Sequence, residues 1–178
     1  EGKYYSVRAP EYDHDLQIGL YYKPYQLPHP PIGVASGMPG SASLATAGER
    51  GWFPISGANL LTGALHGHWQ TVELGAARSG KSPDRGEWRI CRDIYVGETS
   101  ESARAEARVV LGRPYDEHQW INQKVRKALN RMKIDPSMRD KDVNVDYLME
   151  NLWIVGDPQE CADKIRKLHV DLAGNDRI

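Results

Sequence analysis

The residue pattern points to a parallel α/β fold, in which strands and helices alternate along the chain, on three grounds. Short apolar runs without alternation, such as Ile32-Gly33-Val34-Ala35, precede stretches of helical periodicity, which is how strands buried in a parallel sheet and their crossover helices read. The strand, helix and strand between Pro31 and Ser56 have the length of a right-handed parallel crossover. Near the end, Asp157-Pro158-Gln159-Glu160 joins an N-cap, a proline at the first helical position and a glutamate three residues after the cap, with Cys161, Ile165 and Leu168 following at spacings of four and three.

Residues 1–30 are rich in tyrosine and proline and keep no period, so they read as an extended lead-in closed by Pro28-His29-Pro30-Pro31. The βα units occupy 31–111. The first strand, Ile32 to Ala35, is expected to be buried on both faces. Ser41 is a candidate N-cap for the next helix, Leu44, Ala45, Ala47 and Gly48 form its apolar stripe, and Gly51 sits where a left-handed residue stops it. The second strand is Trp52 to Ser56, and its Pro54 is tolerated only near the strand start. A long amphipathic helix is expected from Asn59 to Ala77 on Leu60, Leu61, Ala64, Leu65, His68, Val72 and Ala76, ending at Ser79-Gly80. Arg89 to Val96 reads as a third strand, and Ser102 to Leu111 as a helix with Ala103, Ala107 and Val110 on one face. The charged stretch 112–152, which contains Pro136, is expected to be a helical insertion with a break, and 153–178 to be the final helix region.

The composition narrows the function. Of the 178 residues 40% are hydrophobic and 26% charged, and the net charge is -1. No basic run interleaves with aromatics, so neither nucleic acid nor an anionic membrane is an expected partner, and small molecules are favoured. Cys91 and Cys161 stand apart without metal-ligand spacing, so neither a disulfide framework nor a zinc site is expected, and a reducing cytoplasm suits the chain. No signal pattern or membrane-length apolar run is present. The opening Glu1-Gly2-Lys3, without an initiator methionine, and the polar end at Asn175-Asp176-Arg177-Ile178 read as a piece of a longer chain.

Chemistry concentrates at Ser36-Gly37-Met38-Pro39-Gly40-Ser41, a loop from a buried strand to a helix N-terminus. Free N–H groups and the positive end of the helix dipole favour an anion there. Its glycines permit close approach, and Ser36, Ser41 or Ser43 supplies hydroxyls. A phosphate site and a plain strand-to-helix turn both fit this composition. His66 and His68, two apart on a helix, point to nearly opposite sides and lack a third ligand, which argues against a metal. His68 either packs beside Trp69 or faces the site as a polar group. Arg89 and Arg92, placed on one strand, offer an arginine to the phosphate or stay solvated or ion-paired. Trp88, Trp120 and Trp153 read as packing residues.

The run Lys23-Pro24-Tyr25-Gln26-Leu27-Pro28-His29-Pro30-Pro31-Ile32-Gly33-Val34-Ala35-Ser36, then Ala47-Gly48-Glu49-Arg50-Gly51, then Pro54-Ile55-Ser56, resembles the luciferase-like flavin-dependent monooxygenases, most of all members similar to limonene monooxygenase. His68-Trp69, Arg92-Asp93-Ile94-Tyr95-Val96-Gly97-Glu98-Thr99 and Trp153-Ile154-Val155-Gly156-Asp157-Pro158 continue the resemblance in order. It implies a single domain over 1–178 that is the later part of a (β/α)8 TIM barrel, with flavin at the C-terminal strand ends. The strands ending at Ser36, Ser56 and Val96 would be the fifth, sixth and seventh, and the eighth would be missing or only begun by the last residues. It implies reduced FMN as cofactor, contacted by Ala35, Ser36, Gly37, Met38, Gly40 and Ser41, with Ile55 and Ser56 toward the flavin ring or lining the barrel. Reaction of that flavin with O2 through a peroxyflavin would insert oxygen into an apolar organic substrate, an NADH-dependent flavin reductase would be the partner, and the full-length protein would be a homodimer. A deazaflavin-dependent hydride transfer on the same barrel, or a truncated non-catalytic barrel fragment with open sheet edges, are the competing readings.

Overall fold

The computed structural model describes residues 11–16, 19, 25–38, 40–115 and 128–173. The chain divides into two compact units, Glu1–Ile32 and Gly33–Ile178. In the first, the described stretches are turns, bends and extended chain; the Asp13 carboxylate accepts from the N–H groups of Asp15 and Leu16 at 3.0 and 2.9 Å.

The second unit carries five short strands and five α-helices whose bounds lie within its described residues. In order these are β1 (Gly33–Ser36), α1 (Ala42–Arg50), β2 (Phe53–Ser56), α2 (Thr62–Ala77), β3 (Arg89–Ile90), β4 (Ile94–Val96), α3 (Ser100–Ala107), α4 (Val145–Asn151), β5 (Ile154–Gly156) and α5 (Pro158–Leu172). All pairings are parallel: β1-β2-β3 form one sheet and β4-β5 another. Ser36 stands opposite Ser56, and Ser56 opposite Ile90.

Pro54 sits in the middle strand, and the register shows why it is tolerated. The Ser56 carbonyl accepts from Cys91 N–H at 2.9 Å, so even-numbered residues of β2 direct their polar groups toward β3. Pairing with β3 begins only at Ile55, so the N–H that Pro54 lacks faces a row where β3 has not started.

Three expectations about the strands need correction. The expected single strand Arg89 to Val96 is two strands in two sheets: Cys91 N–H still bonds to Ser56, whereas the Asp93 carbonyl already accepts from Ile154 N–H at 3.0 Å. The chain changes partner within three residues. β5, whose apolar Ile154-Val155-Gly156 is entirely buried, is a strand that the periodicity did not single out. β1 is not buried on both faces; Gly33 and Ala35 are exposed, because the helices cover one side only. In chain order β5 takes the place after the strand ending at Val96, where the next strand was expected to be missing or only begun by the last residues; 174–178 lie outside the described residues.

The helices α1 and α2 lie backbone to backbone on that covered side. A Cβ added to Gly75 would come within 1.9 Å of the Ala45 carbonyl, and one added to Gly48 within 2.0 Å of the Val72 carbonyl, so two glycines set the approach. Leu44, Leu60, Leu65, Trp69 and Val72 fill the seam with Trp88 from the segment before β3, each large side chain stabilising by about 1.5–3 kcal/mol on burial. Trp69 and Trp88 stack at 5.4 Å. Gly51, at φ 74°, stops α1 as its position implied. α2 begins at Thr62 rather than Asn59; Leu60 is buried from the loop instead.

The second core gathers around β5, with Val155, Trp153, Leu148, Ala103 and Ala107. Val110 does not join it: a π-turn over Arg108–Gly112 slips the helical phase, leaving Val110 exposed and turning Gly112 inward, where an added Cβ would come within 3.0 Å of Val145. Of the expected insertion, short turns at Ala128–Arg131 and Asp140–Asp142 and α4 are described, with Pro136 in the non-helical stretch between. Trp120 lies outside the described residues. Asp157 caps α5 by accepting from Glu160 N–H at 2.9 Å. Glu160 does not return the bond; it takes Ser100, Arg104 and Lys164 at 2.5, 2.6 and 2.8 Å, and Ser100 Oγ accepts from the Asp157 N–H at 3.3 Å in its place. Among the described residues no helix is long and apolar enough to cross a membrane.

Candidate functional site

The site builds upward from the C-terminal ends of β1 and β2. From Ser36 the chain turns through Gly37, Met38 and Gly40 into α1. Gly40 has φ 66°, a conformation that favours glycine, and open space stands where its side chain would be. The Ser36 hydroxyl accepts from Met38 N–H at 3.1 Å and donates to the Met38 carbonyl at 3.3 Å, which holds the turn. Ser41 occupies the N-cap position in extended geometry, yet its side chain caps nothing; it bonds to Ser43 Oγ at 2.7 Å. The first-turn N–H groups of α1 therefore have no side-chain acceptor, beside the positive end of the helix dipole.

The neighbouring helix is open in the same sense. Its N-cap is Leu61, which has no side-chain oxygen, and its first turn holds no acidic residue. Leu61, Thr62 and Gly63 border a cavity of about 590 Å³ whose other walls include Asn130, Arg131, Lys133 and Asn151. Arg131 spans the two helix starts: its guanidinium donates to the Gly37 carbonyl and lies 3.4 Å from Met38 Sδ. Lys133 is paired with Asp140 at 2.6 Å.

Pleating sorts the strand residues onto two faces. Gly33, Ala35, Phe53 and Ile55 share one: a side chain at Gly33 would meet the Phe53 ring at 2.5 Å and Ile55 at 3.0 Å. Arg89 joins this face, its guanidinium 5.7 Å from the Phe53 ring and 3.2 Å from Glu87. Ser36 and Ser56 point the other way, toward the helices. Ile55 and Ser56, read as facing a flavin ring or lining the barrel, lie on opposite faces of the sheet, with Ser56 on the helix side. It is fully buried, and its hydroxyl accepts from Trp88 Nε1 at 2.9 Å and meets His68 Nδ1 at 3.0 Å.

His68 is fully buried as well, and its Nε2 has no hydrogen-bond partner among the described residues. Burial pushes the imidazole below its ordinary value; the neighbouring Met38 backbone carbonyl draws it partly back up, and the Arg131 charge lowers it further. Between packing beside Trp69 and facing the site, the residue is a buried polar group held by Ser56. His66 and His68 belong to no metal-ligand cluster among the described residues. Arg92 lies off both strands and donates to the Cys91 carbonyl at 2.9 Å; Arg89 and Arg92 therefore do not share a strand. Trp88 and Trp153 are buried as expected, but Trp88 is also a donor.

The loop, the α1 N-terminus and Ser41 were legible in the sequence. Arg131 was not: it lies 94 residues from Gly37, in a charged stretch with no period. The unpartnered Nε2 had only the weak signal of a histidine in an apolar stripe.

The model of the luciferase-like monooxygenase family matches residues 7–174. The chain is 29% identical over 140 residues to 2,5-diketocamphane 1,2-monooxygenase 1 of Pseudomonas putida, a match covering 72% of this chain and 36% of that one. It is 44% identical over 41 residues to limonene 1,2-monooxygenase of Rhodococcus erythropolis, covering 23% and 11%. Among solved structures it resembles the oxygenating constituent of 3,6-diketocamphane monooxygenase of Pseudomonas putida, a type II Baeyer–Villiger monooxygenase in complex with FMN. There the TM-score is 0.77 and the identity 25%, with 96% of this chain and 48% of that chain covered. The chain spans less than half the length of these relatives.

Proposed function

The chain belongs to the luciferase-like monooxygenase family, and from that premise we propose that it is the FMN-phosphate-holding part of a flavin-dependent monooxygenase acting on an apolar organic substrate. The observation that carries the reading is the open N-terminus of α1 at the strand end, uncapped by Ser41 and backed by a buried ring nitrogen without a partner. In this reading the N–H groups of the first turn and the hydroxyls of Ser36 and Ser41 receive the phosphate. Gly37, Met38 and Gly40 bring backbone close to it, and Arg131 holds the Gly37 carbonyl so that the turn keeps its shape. Ala35 and Ile55, on the sheet face that no described element of residues 33–173 covers, line the flavin side, and Ser56 serves from behind by holding His68.

Bound and reduced, FMN supplies the oxygen-transfer chemistry with O2; the chain's part is to bind, orient and exclude water. The relatives' camphane and limonene substrates support an apolar substrate of that kind. The two parallel sheets belong, on this reading, to the later strands of a TIM barrel within one domain. A separate NADH-dependent flavin reductase, a homodimer and a cytoplasmic setting complete the proposal.

The test is titration of the protein with FMN, riboflavin and a deazaflavin, followed by flavin fluorescence. FMN should bind best, and Ser36→Ala with Ser41→Ala should weaken FMN about tenfold or more, the worth of at least one hydrogen bond to a charged group, while riboflavin is unchanged. A preference for the deazaflavin would sink the monooxygenase reading. Equal weakening of FMN and riboflavin would move the phosphate elsewhere.

A further inference from the structure

Three buried groups beneath the loop form a directed chain. Trp88 Nε1 is donor only, and it gives its proton to Ser56 Oγ at 2.9 Å. Ser56 then has one proton to place, and His68 Nδ1 at 3.0 Å is the acceptor that satisfies it. With Nδ1 accepting, a neutral imidazole carries its proton on Nε2. This atom is buried and unpartnered. The opposite tautomer would leave the Ser56 hydroxyl proton without an acceptor and Nε2 as an unpaired lone pair, two unsatisfied positions instead of one.

The position of this donor is set by register. Ser56 stands directly opposite Ser36 on the neighbouring strand, with both side chains on the helix face, and Gly57 N–H bonds to the Ser36 carbonyl at 3.0 Å. A ring held by Ser56 therefore lies under the start of the Ser36–Met38 turn. The same turn leads into the uncapped first turn of α1. A buried donor facing the underside of a glycine-containing turn, with an open helix N-terminus above it, joins two incomplete hydrogen-bonding sets across one short loop.

We propose that His68 is the positioning residue of the phosphate loop: its Nε2–H, fixed as a donor by the Trp88–Ser56–His68 chain, closes on the Met38 carbonyl when a phosphate occupies the loop. The inference rests on the FMN-phosphate reading and adds to it the device by which occupancy is coupled to loop geometry. His68 does not touch the flavin. It acts through the turn, so it should affect ligands that carry the phosphate and leave those that lack it alone.

The experiment compares FMN with riboflavin on the unsubstituted protein, His68→Leu and His68→Gln. His68→Leu should lower the preference for FMN about tenfold, as loss of one hydrogen bond would, with riboflavin affinity unchanged. His68→Gln, which keeps an N–H donor near the Nε2 position, should restore most of it. Nitrogen spectra of histidine-labelled protein should show the proton on Nε2, and that signal should move on adding FMN but not riboflavin. A proton on Nδ1 overturns the proposal even if His68→Leu fails to fold. An unchanged FMN preference in a folded His68→Leu protein overturns it while leaving the phosphate reading intact, and equal loss of both flavins reduces His68 to a packing residue. An unsubstituted protein that binds the two flavins alike overturns the phosphate reading and this inference together.

Discussion

The helices that follow β1 and β2 start differently from the later ones. α1 and α2 have Ser41 and Leu61 at their N-caps, and neither side chain caps. α3, α4 and α5 are closed by Thr99, Asn144 and Asp157, which accept from Ser102, Tyr147 and Glu160 N–H groups at 3.1, 3.0 and 2.9 Å. Around α5 the polar groups satisfy one another: Ser100, Arg104 and Lys164 all converge on Glu160. On α2 one buried nitrogen, His68 Nε2, is left over among the described residues. Every helix start has the same four unanswered N–H groups, so the difference marks which starts the chain's own side chains answer and which they leave unanswered.

The comparison can be broken most forcefully at the glycine seam. Gly75→Val drives a side chain into the Ala45 backbone, which lies 1.9 Å from the new Cβ, and should cost on the order of 3 kcal/mol or more, read as a lower urea midpoint. It should also abolish FMN binding, because α1 cannot stay seated below its loop. A stable Gly75→Val protein would mean that the α1–α2 approach is not what presents the site.

A smaller effect sharpens it. Asp157→Ala removes a cap and should cost about 1 kcal/mol, whereas Ser41→Ala removes no capping bond and should change the melting temperature little, within roughly 0.5 kcal/mol. Equal losses from the two variants would erase the distinction between closed and open helix starts.

The smallest expected effect is in pH dependence. The imidazole of His68 is held below the ordinary 6.5 chiefly by burial, so the unfolded chain takes up its proton first. The stability due to neutral His68 is complete above pH 6.5 and is lost as pH falls from there through the lowered folded value. Asp157 is lowered from 3.8 chiefly by the Glu160 N–H, and Glu160 from 4.5 chiefly by Lys164. Their contributions persist above those ordinary values and vanish only as pH falls through their lower folded ones. Thermal melts across pH should show two windows, and His68→Gln should remove the upper one while leaving the lower.

Much of the fold was legible because its signals are local. Gly51 ends α1 through its own left-handed backbone, and Asp157-Pro158 starts α5 through contacts spanning four residues. The π-turn that exposes Val110 has no such signature, since Ala103, Ala107 and Val110 keep helical spacing and only Gly112 packing against Val145 reveals the slip. At the site, the glycine and serine loop was readable from composition, whereas Arg131 reaches Gly37 from 94 residues away.

The alternation of strand and helix, the loop at Ser36 to Ser41 and the family pattern of the motifs follow from the order of residues alone. These rest on periodicity, capping and backbone freedom within a few residues. Tertiary structure alone decided that Cys91 and Asp93 serve different sheets, that Ser56 turns inward to Trp88 and His68, and that the starts of α1 and α2 stay open. Strand partners and hydrogen-bond acceptors are chosen by what packs alongside, and that is a property of the folded chain rather than of any segment in it.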